Sequence, residues 1–88
     1  MAWTIDYTQT ARNQLKKLDK PVARRIADFM DDRIAEQEDP RAMGKALTGL
    51  LGTLWRYRIG DYHLICEIQH RAVTILVIRI GHRSEVYR

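Results

Sequence analysis

Apolar and polar residues alternate at the start of the chain. Trp3, Ile5 and Tyr7 are separated by single polar residues, and this period of two is typical of a strand with one buried face. The sequence therefore predicts a short first strand from Trp3 to Tyr7. Thr8 or Thr10 is expected to cap the helix that follows, because both residues precede the first helical repeat.

A helical repeat follows the first strand. Ala11, Leu15 and Leu18 recur at intervals of four and three residues, which places them on one face of a helix. Asp19 and Pro21 then indicate that this helix ends and that a second one begins with Asp19 at its N-cap. The two helices are predicted to form a hairpin.

The second helix is predicted to be the longer one and to run to about Gln37. Its apolar stripe consists of Val22, Ile26, Phe29, Met30 and Ile34. Acidic residues are spread along the same helix and just beyond it, at Asp28, Asp31, Asp32, Glu36, Glu38 and Asp39. Because basic residues lie among them, we interpret them as a solvated helix face rather than as a metal or acid–base site.

Three further strands are predicted after a connector that begins at Pro40. They cover Leu54–Ile59, Tyr62–Gln69 and Ala72–Ile80, with short turns at Gly60-Asp61 and His70-Arg71. Turns of this length predict an antiparallel meander, and the helical hairpin is expected to cover one face of the sheet. The predicted fold class is α+β, with a mostly antiparallel four-stranded sheet in the order βααβββ. We expect a single domain over residues 1–88.

Composition excludes several classes of protein. A chain of 88 residues is too short for two independent cores, which excludes a multidomain enzyme. Cys66 is the single cysteine, so the chain has no intrachain disulfide and no thiol pair for zinc. The longest apolar run, Ile75 to Ile78, is far shorter than a membrane span, and the N-terminus lacks the pattern of a signal peptide. We expect a soluble cytoplasmic protein.

Positive charge is concentrated in the second half of the chain. Residues 1–40 contain seven basic and eight acidic residues, a net charge of −1, whereas residues 41–88 contain eight basic and three acidic residues, a net charge of +5. All three histidines also lie in the second half. A basic surface of this kind favours a polyanionic partner.

Two arginines and a histidine are the first candidates for chemistry. Arg56 and Arg58 share one face of a predicted strand, about 7 Å apart at their bases. Neighbouring guanidinium groups repel each other, and the pattern alone leaves open whether an anion lies between them or the face is merely solvated. His63 is predicted to come near Arg58 across the tight turn, either as a buried hydrogen-bonded residue or as a group that titrates near neutral pH.

Residues 80–88 end the chain with basic and aromatic side chains. Chain ends are often disordered, but Val86 and Tyr87 provide surface for packing. Arginines that bind phosphates, together with an aromatic ring that stacks on a base, are a combination suited to single-stranded RNA.

The chain resembles the RelE branch of the RelE/ParE toxin superfamily, the toxins of bacterial and archaeal type II toxin–antitoxin pairs. The resemblance spans nearly the whole chain and is most specific in residues 47–65 and in the ending Ile80 to Tyr87. It implies a ribosome-dependent endoribonuclease that cuts mRNA in the ribosomal A site. The implied reaction is attack of a ribose 2′-hydroxyl on the neighbouring phosphate, without a metal or other cofactor.

The resemblance also implies site residues. We expect Arg58, His63, His82, Arg83 and Tyr87 to be catalytic, and Arg56, Arg58, Arg83, Tyr87 and Arg88 to bind RNA. The resemblance implies all of these positions except His82 and Arg88, which belong to the basic ending of the chain. Arg56 and Arg58 stand where the best-known member has lysines, and His63 stands where it has an arginine.

These replacements suggest how the roles are divided. The guanidinium pKa is above about 12, so arginine is a poor proton acceptor and binds phosphate better than it moves protons. We expect Arg58 and Arg83 to stabilise the transition state and Arg56 to hold the RNA backbone. His63 or His82 would transfer protons, and Tyr87 would orient or stack on the substrate base.

The expected partners are the ribosome with its mRNA and a cognate antitoxin, with no membrane involved. The antitoxin is expected to be acidic, and the toxin–antitoxin complex is expected to bind its own promoter DNA. Two alternatives stay open at this point. One is a ParE-like inhibitor of DNA gyrase without catalytic residues of its own, and the other is a homologue that binds an antitoxin but has lost catalysis.

Overall fold

The computed structural model describes residues 2–47 and 54–82, which form one sheet with two helices on one face. The elements are β1 (Thr4–Tyr7), α1 (Gln9–Lys17), α2 (Lys20–Phe29), a π-helical turn (Met30–Ile34), a 3-10 turn (Pro40–Ala42), β2 (Lys45–Ala46), β3 (Leu54–Ile59), β4 (Tyr62–Gln69) and β5 (Thr74–His82). The strand order is β1-β5-β4-β3-β2, with β1 parallel to β5 and the other pairs antiparallel. The predicted α+β class is confirmed, and the sheet has five strands instead of four.

The extra strand is β2, which pairs with β3 through only two residues. Lys45 lies opposite Arg56, and Ala46 lies opposite Trp55. Two residues are too few to produce a visible period of two, so the hydropathy pattern gave no indication of a strand here.

The helical hairpin has the predicted caps. Thr8, rather than Thr10, caps α1, because its hydroxyl accepts a hydrogen bond of 3.1 Å from the Ala11 N–H. Asp19 occupies the N-cap position of α2 ahead of Pro21, without a hydrogen bond from its side chain to the helix.

The second helix ends earlier than predicted. Helix α2 stops at Phe29, and the chain continues as the π-helical turn Met30–Ile34 instead of an α-helix to Gln37. The Ala35 N–H bonds to the Met30 carbonyl five residues back, at 2.8 Å. This wider turn keeps the side chains of Met30 and Ile34 fully buried.

The core lies between the helices and one face of the sheet. Its buried residues are Ala11, Ile26, Met30, Ile34, Tyr57, Ile59, Leu64, Cys66, Ile75, Val77 and Ile80. Ile5 and Tyr7 of β1 pack against this cluster, as does Trp3, which lies just before the strand because β1 begins at Thr4 instead of Trp3. The six acidic residues between Ala27 and Pro40 are all exposed, which agrees with a solvated helix face. Within the described residues, no helix is long and apolar enough to cross a membrane.

Strand β5 contains a bulge that changes which face its later residues occupy. Cys66 pairs with Val77, whereas Ile65 pairs with Arg79, so Ile78 is one additional residue on β5. A strict period of two would place Arg79 on the same face as Val77, against the helices. The bulge places Arg79 on the opposite face.

The turn before β5 is longer than predicted. It occupies residues 70–73, so β5 begins at Thr74 instead of Ala72. Val73 adopts a positive φ of 48°, a conformation that is unusual for a β-branched residue. The register at the other end of the meander is as predicted, with β3 and β4 separated by Gly60-Asp61 alone.

Candidate functional site

The sheet face opposite the helices carries two rows of directly paired residues. Paired residues on neighbouring strands project from the same face, so each row forms a line across the strands. The first row is Arg58, His63 and Gly81. The second row is Lys45, Arg56, Ile65 and Arg79. We call Lys45, Arg56, Arg58, His63 and Arg79 the basic patch.

The acidic residues of this face lie in a third row, beyond the basic patch. This row is Leu54, Glu67, Leu76 and Asp6, and rows on the same face are about 7 Å apart along a strand. The Glu67 carboxylate accepts a hydrogen bond of 2.8 Å from the Gln69 side chain, on the side away from the basic rows. The face is therefore positive near the β3–β4 turn and negative near the start of β5.

A tight turn brings Arg58 and His63 together. Ile59 pairs with Tyr62, and Gly60 begins the two-residue turn with a φ of +60°, which is the backbone that such hairpins require. Arg58 then lies directly opposite His63, which confirms the predicted proximity. The Arg58 Nε donates a hydrogen bond of 3.1 Å to the Gly60 carbonyl, and this bond holds the guanidinium beside the turn.

His63 lines a depression together with the cations of the patch. The imidazole is 4% exposed, while Lys45 and Arg58 are exposed and Arg56 is half-buried. A pocket of about 270 Å³ is lined by Gly44, Lys45, Arg56, Arg58 and His63. Guanidinium and ammonium groups around a concave site favour a phosphate or another anion, and an imidazole at its wall is able to exchange a proton with the bound group.

Two hydrogen bonds from β3 hold the connector that carries Lys45. The Trp55 indole N–H donates to the Met43 carbonyl at 2.7 Å, and the Tyr57 hydroxyl donates to the Pro40 carbonyl at 2.7 Å. Burial raises the pKa of Tyr57, so its hydroxyl stays protonated and keeps donating. Lys45 is thus fixed next to Arg56 by aromatic side chains that face the core.

His82 lies on the other face of the sheet. It pairs with Tyr62, and the two rings meet edge to face with centroids 5.5 Å apart. His82 and Tyr62 line a pocket of about 360 Å³ against α1, together with Gln14 and Lys17. The structure therefore brings His63 into the basic patch and does not bring His82 into it. Arg83, Tyr87 and Arg88 lie outside the described residues.

Sequence reasoning missed two members of the basic patch, Lys45 and Arg79. Lys45 follows Gly44, and that glycine was the only local signal of a change in chain direction. The sequence around Arg79 gave no indication that this residue lies on the face of the basic patch, because its face depends on the bulge at Ile78. Among residues 2–47 and 54–82, no three side chains of His, Cys, Asp or Glu lie close enough to hold a metal ion.

The chain is similar to toxins of known family. It matches the family model for the ParE toxin of type II toxin–antitoxin systems over residues 5–87. It is 30% identical to Toxin RelG of Mycobacterium tuberculosis over 88 residues, which cover 100% of this chain and 99% of the relative.

Solved structures have the same fold. The toxin–antitoxin complex RelBE2 from Mycobacterium tuberculosis matches with a TM-score of 0.84 and 27% identity over 97% of this chain and 95% of that chain. The isolated E. coli RelE toxin matches with a TM-score of 0.72 and 21% identity over 98% of this chain and 92% of that chain.

Proposed function

The chain belongs to the ParE toxin family of type II toxin–antitoxin systems, as a RelE-like member, and we propose that it is a ribosome-dependent endoribonuclease. Its substrate is mRNA in the ribosomal A site, and its cleavage needs no metal ion. The observation that carries this proposal is the pairing of Arg58 with His63 inside the basic patch.

The proposed reaction needs a proton acceptor and a source of positive charge. The ribose 2′-hydroxyl loses its proton and its oxygen attacks the neighbouring phosphorus. The bond to the 5′-oxygen then breaks, and that oxygen takes up a proton, which leaves a 2′,3′-cyclic phosphate and a free 5′-hydroxyl. We assign the proton transfer at the 2′-hydroxyl to His63, and the stabilisation of charge on the phosphoryl oxygens to Arg58.

The other residues of the site serve RNA binding. Arg56 lies one row away from Arg58 on the same strand face, and we assign to it the binding of the RNA backbone. Arg83 and Tyr87 keep the roles expected from the family resemblance, transition-state stabilisation for Arg83 and base stacking for Tyr87. Arg88 keeps the RNA-binding role expected of the basic chain end.

We propose a cognate antitoxin as the protein partner. The similar RelBE2 structure is a toxin–antitoxin complex, and the net charge of +5 on residues 41–88 complements an acidic chain. Binding of the antitoxin over the basic patch would block access of RNA. The toxin–antitoxin complex is proposed to bind its own promoter DNA.

The test is to express the protein without its antitoxin and to map mRNA 5′ ends by primer extension. Gyrase supercoiling is measured in parallel. Cuts in the reading frame at ribosome-occupied codons support the proposal, and Arg58→Gln should abolish them while the control Arg71→Gln, at an exposed turn, should not. Inhibited supercoiling without cuts would select the gyrase alternative, and neither effect would select a homologue that only binds an antitoxin.

A further inference from the structure

The second row of the basic patch extends across most of the sheet. Lys45, Arg56 and Arg79 lie on β2, β3 and β5 in one line of paired residues. Neighbouring strands are about 4.8 Å apart, so the row spans about 14 Å across three intervals. One phosphate group cannot contact cations over that distance, so the row provides separate contacts for successive phosphates.

Arg79 belongs to this row only because of the bulge in β5. The bulge at Ile78 turns Arg79 from the helix face to the face of Arg56. Arg79 is exposed there, and its neighbour in the row is the buried, apolar Ile65. The Arg79 guanidinium therefore lies at the end of a row of cations, beside an apolar residue, and is accessible to a ligand from solution.

The third row, which contains Glu67 and Asp6, determines the direction in which a bound polyanion would run across the sheet. A polyanion that ran along the strands would pass from the basic rows over Glu67 and Asp6, where its phosphates would be repelled. Among the described residues, a polyanion that crosses the strands along the second row meets Lys45, Arg56 and Arg79 beside the uncharged Ile65, and no acidic side chain. The charge distribution therefore favours a path perpendicular to the strands.

We propose that Lys45, Arg56 and Arg79 form a track for the phosphate backbone of single-stranded RNA, with Arg79 as a substrate-binding residue at its β5 end. This inference rests on the proposed function and extends it, because it states where the RNA lies on either side of the cleaved bond. The scissile phosphate would sit beside the track, at Arg58 and His63 in the first row.

The test measures binding of a short fluorescent single-stranded RNA whose riboses all carry 2′-O-methyl groups, so that it cannot be cleaved. Fluorescence anisotropy gives the Kd from about 20 to 200 mM salt, a range over which phosphate contacts set the dependence of affinity on salt. Each lost contact should reduce the slope of log affinity against log salt by about 0.7. We expect this loss for Lys45→Gln and Arg79→Gln, full retention for Arg79→Lys, and no change for the control Arg71→Gln.

The outcomes distinguish a failure of the RNA track from a failure of the proposed nuclease activity. An unchanged slope for Arg79→Gln, with a reduced slope for Arg56→Gln, would overturn the track and leave the nuclease proposal standing. Absence of binding by the unmodified protein at 20 mM salt would also overturn the track. Primer extension on the same proteins reports cleavage separately, and absence of cuts by the unmodified protein would overturn the nuclease proposal. Urea denaturation of Arg79→Gln should match that of the unmodified protein, because the side chain is exposed.

Discussion

The Thr8 hydroxyl donates a hydrogen bond of 2.7 Å to the carbonyl oxygen of Ile78, the additional residue of the β5 bulge. The Thr8 N–H donates to the Val77 carbonyl at 3.0 Å, and the hydroxyl also accepts from the Ala11 N–H. Strand β1 ends at Tyr7, so Thr8 provides the next hydrogen bonds to β5 beyond the end of that strand. The cap of α1 and the bulge that orients Arg79 are therefore one hydrogen-bonded unit.

Removal of the Thr8 hydroxyl should destabilise the protein. Thr8→Ala loses the cap of α1 and the hydrogen bond to the Ile78 carbonyl, at a cost of about 1–3 kcal/mol in the free energy of unfolding. Thr8→Ser keeps the hydroxyl and should retain most of the stability. Urea denaturation monitored by circular dichroism measures both. Equal stability of the alanine and serine variants would show that these hydrogen bonds contribute little.

The sequence alone predicts the positions of residues that depend on local patterns. Arg58 and His63 were predicted to be neighbours because a two-residue turn and the period of two fix the register of a hairpin. Arg79 could not be placed, since the bulge is stabilised by Thr8, about 70 residues earlier in the chain. Lys45 could not be placed because its strand is formed by pairing with β3 and has no pattern of its own.

Two tyrosines with buried hydroxyl groups should respond differently to the loss of those groups. Tyr57→Phe removes the hydrogen bond to the Pro40 carbonyl and should cost about 1–3 kcal/mol in the free energy of unfolding. The buried Tyr7 hydroxyl has no hydrogen-bond partner among the described residues, so Tyr7→Phe should be neutral or slightly stabilising. Urea denaturation of the two variants side by side provides the measurement. A larger loss for Tyr7→Phe than for Tyr57→Phe would contradict the assignment.

Stability should decline in alkaline solution. Burial, with a smaller contribution from Asp31, raises the pKa of Tyr7 from its ordinary value of 10.0 to about 12, and burial also raises the pKa values of Tyr57 and Cys66. At a pH between the ordinary Tyr7 pKa of 10.0 and its raised pKa of about 12, Tyr7 has lost its phenol proton in the unfolded chain and retains it in the folded protein. The unfolded state therefore binds fewer protons, and the free energy of unfolding falls as the pH rises.

The measurement is the urea midpoint at pH 8, 9, 10 and 11. The midpoint should be highest at pH 8 and should fall most steeply above pH 10. Tyr7→Phe removes one of the responsible groups and should make the decline shallower. A midpoint that does not change up to pH 11 would contradict the burial of these hydroxyl and thiol groups.

Alanine should be far less tolerated at Gly44 than at Gly60. Gly44 has a φ of +82°, and a Cβ there would come within 3 Å of the Arg56 carbonyl oxygen and the Trp55 ring nitrogen. Gly60 has a φ of +60°, but its closest neighbour is the flexible end of Arg25, at 3.3 Å.

Gly44→Ala should therefore cost more than about 2 kcal/mol, from backbone strain and steric overlap together, and Gly60→Ala about 1–2 kcal/mol, from backbone strain alone. Thermal denaturation compares the two. Because Gly44 is next to Lys45, Gly44→Ala should also weaken RNA binding in the salt titration described above. Equal losses of stability for both variants would mean that the connector moves aside at little cost.

His63 and His82 provide the sharpest comparison for the proposed chemistry, because they are on opposite faces of the sheet. His63 is paired with Arg58, whereas His82 contacts Tyr62 against the helices. A side chain that transfers the proton of the 2′-hydroxyl contributes about 10²–10⁴-fold to the rate, so His63→Gln should slow cleavage on programmed ribosomes by at least about 100-fold. His82→Gln should change the cleavage rate only a few-fold.

Single-turnover measurements at saturating protein exclude an effect on binding, and urea denaturation of both variants excludes an effect on folding. Rapid cleavage by a folded His63→Gln variant would remove His63 from the reaction, and a loss confined to His82→Gln would move the proton transfer to the other side of the sheet.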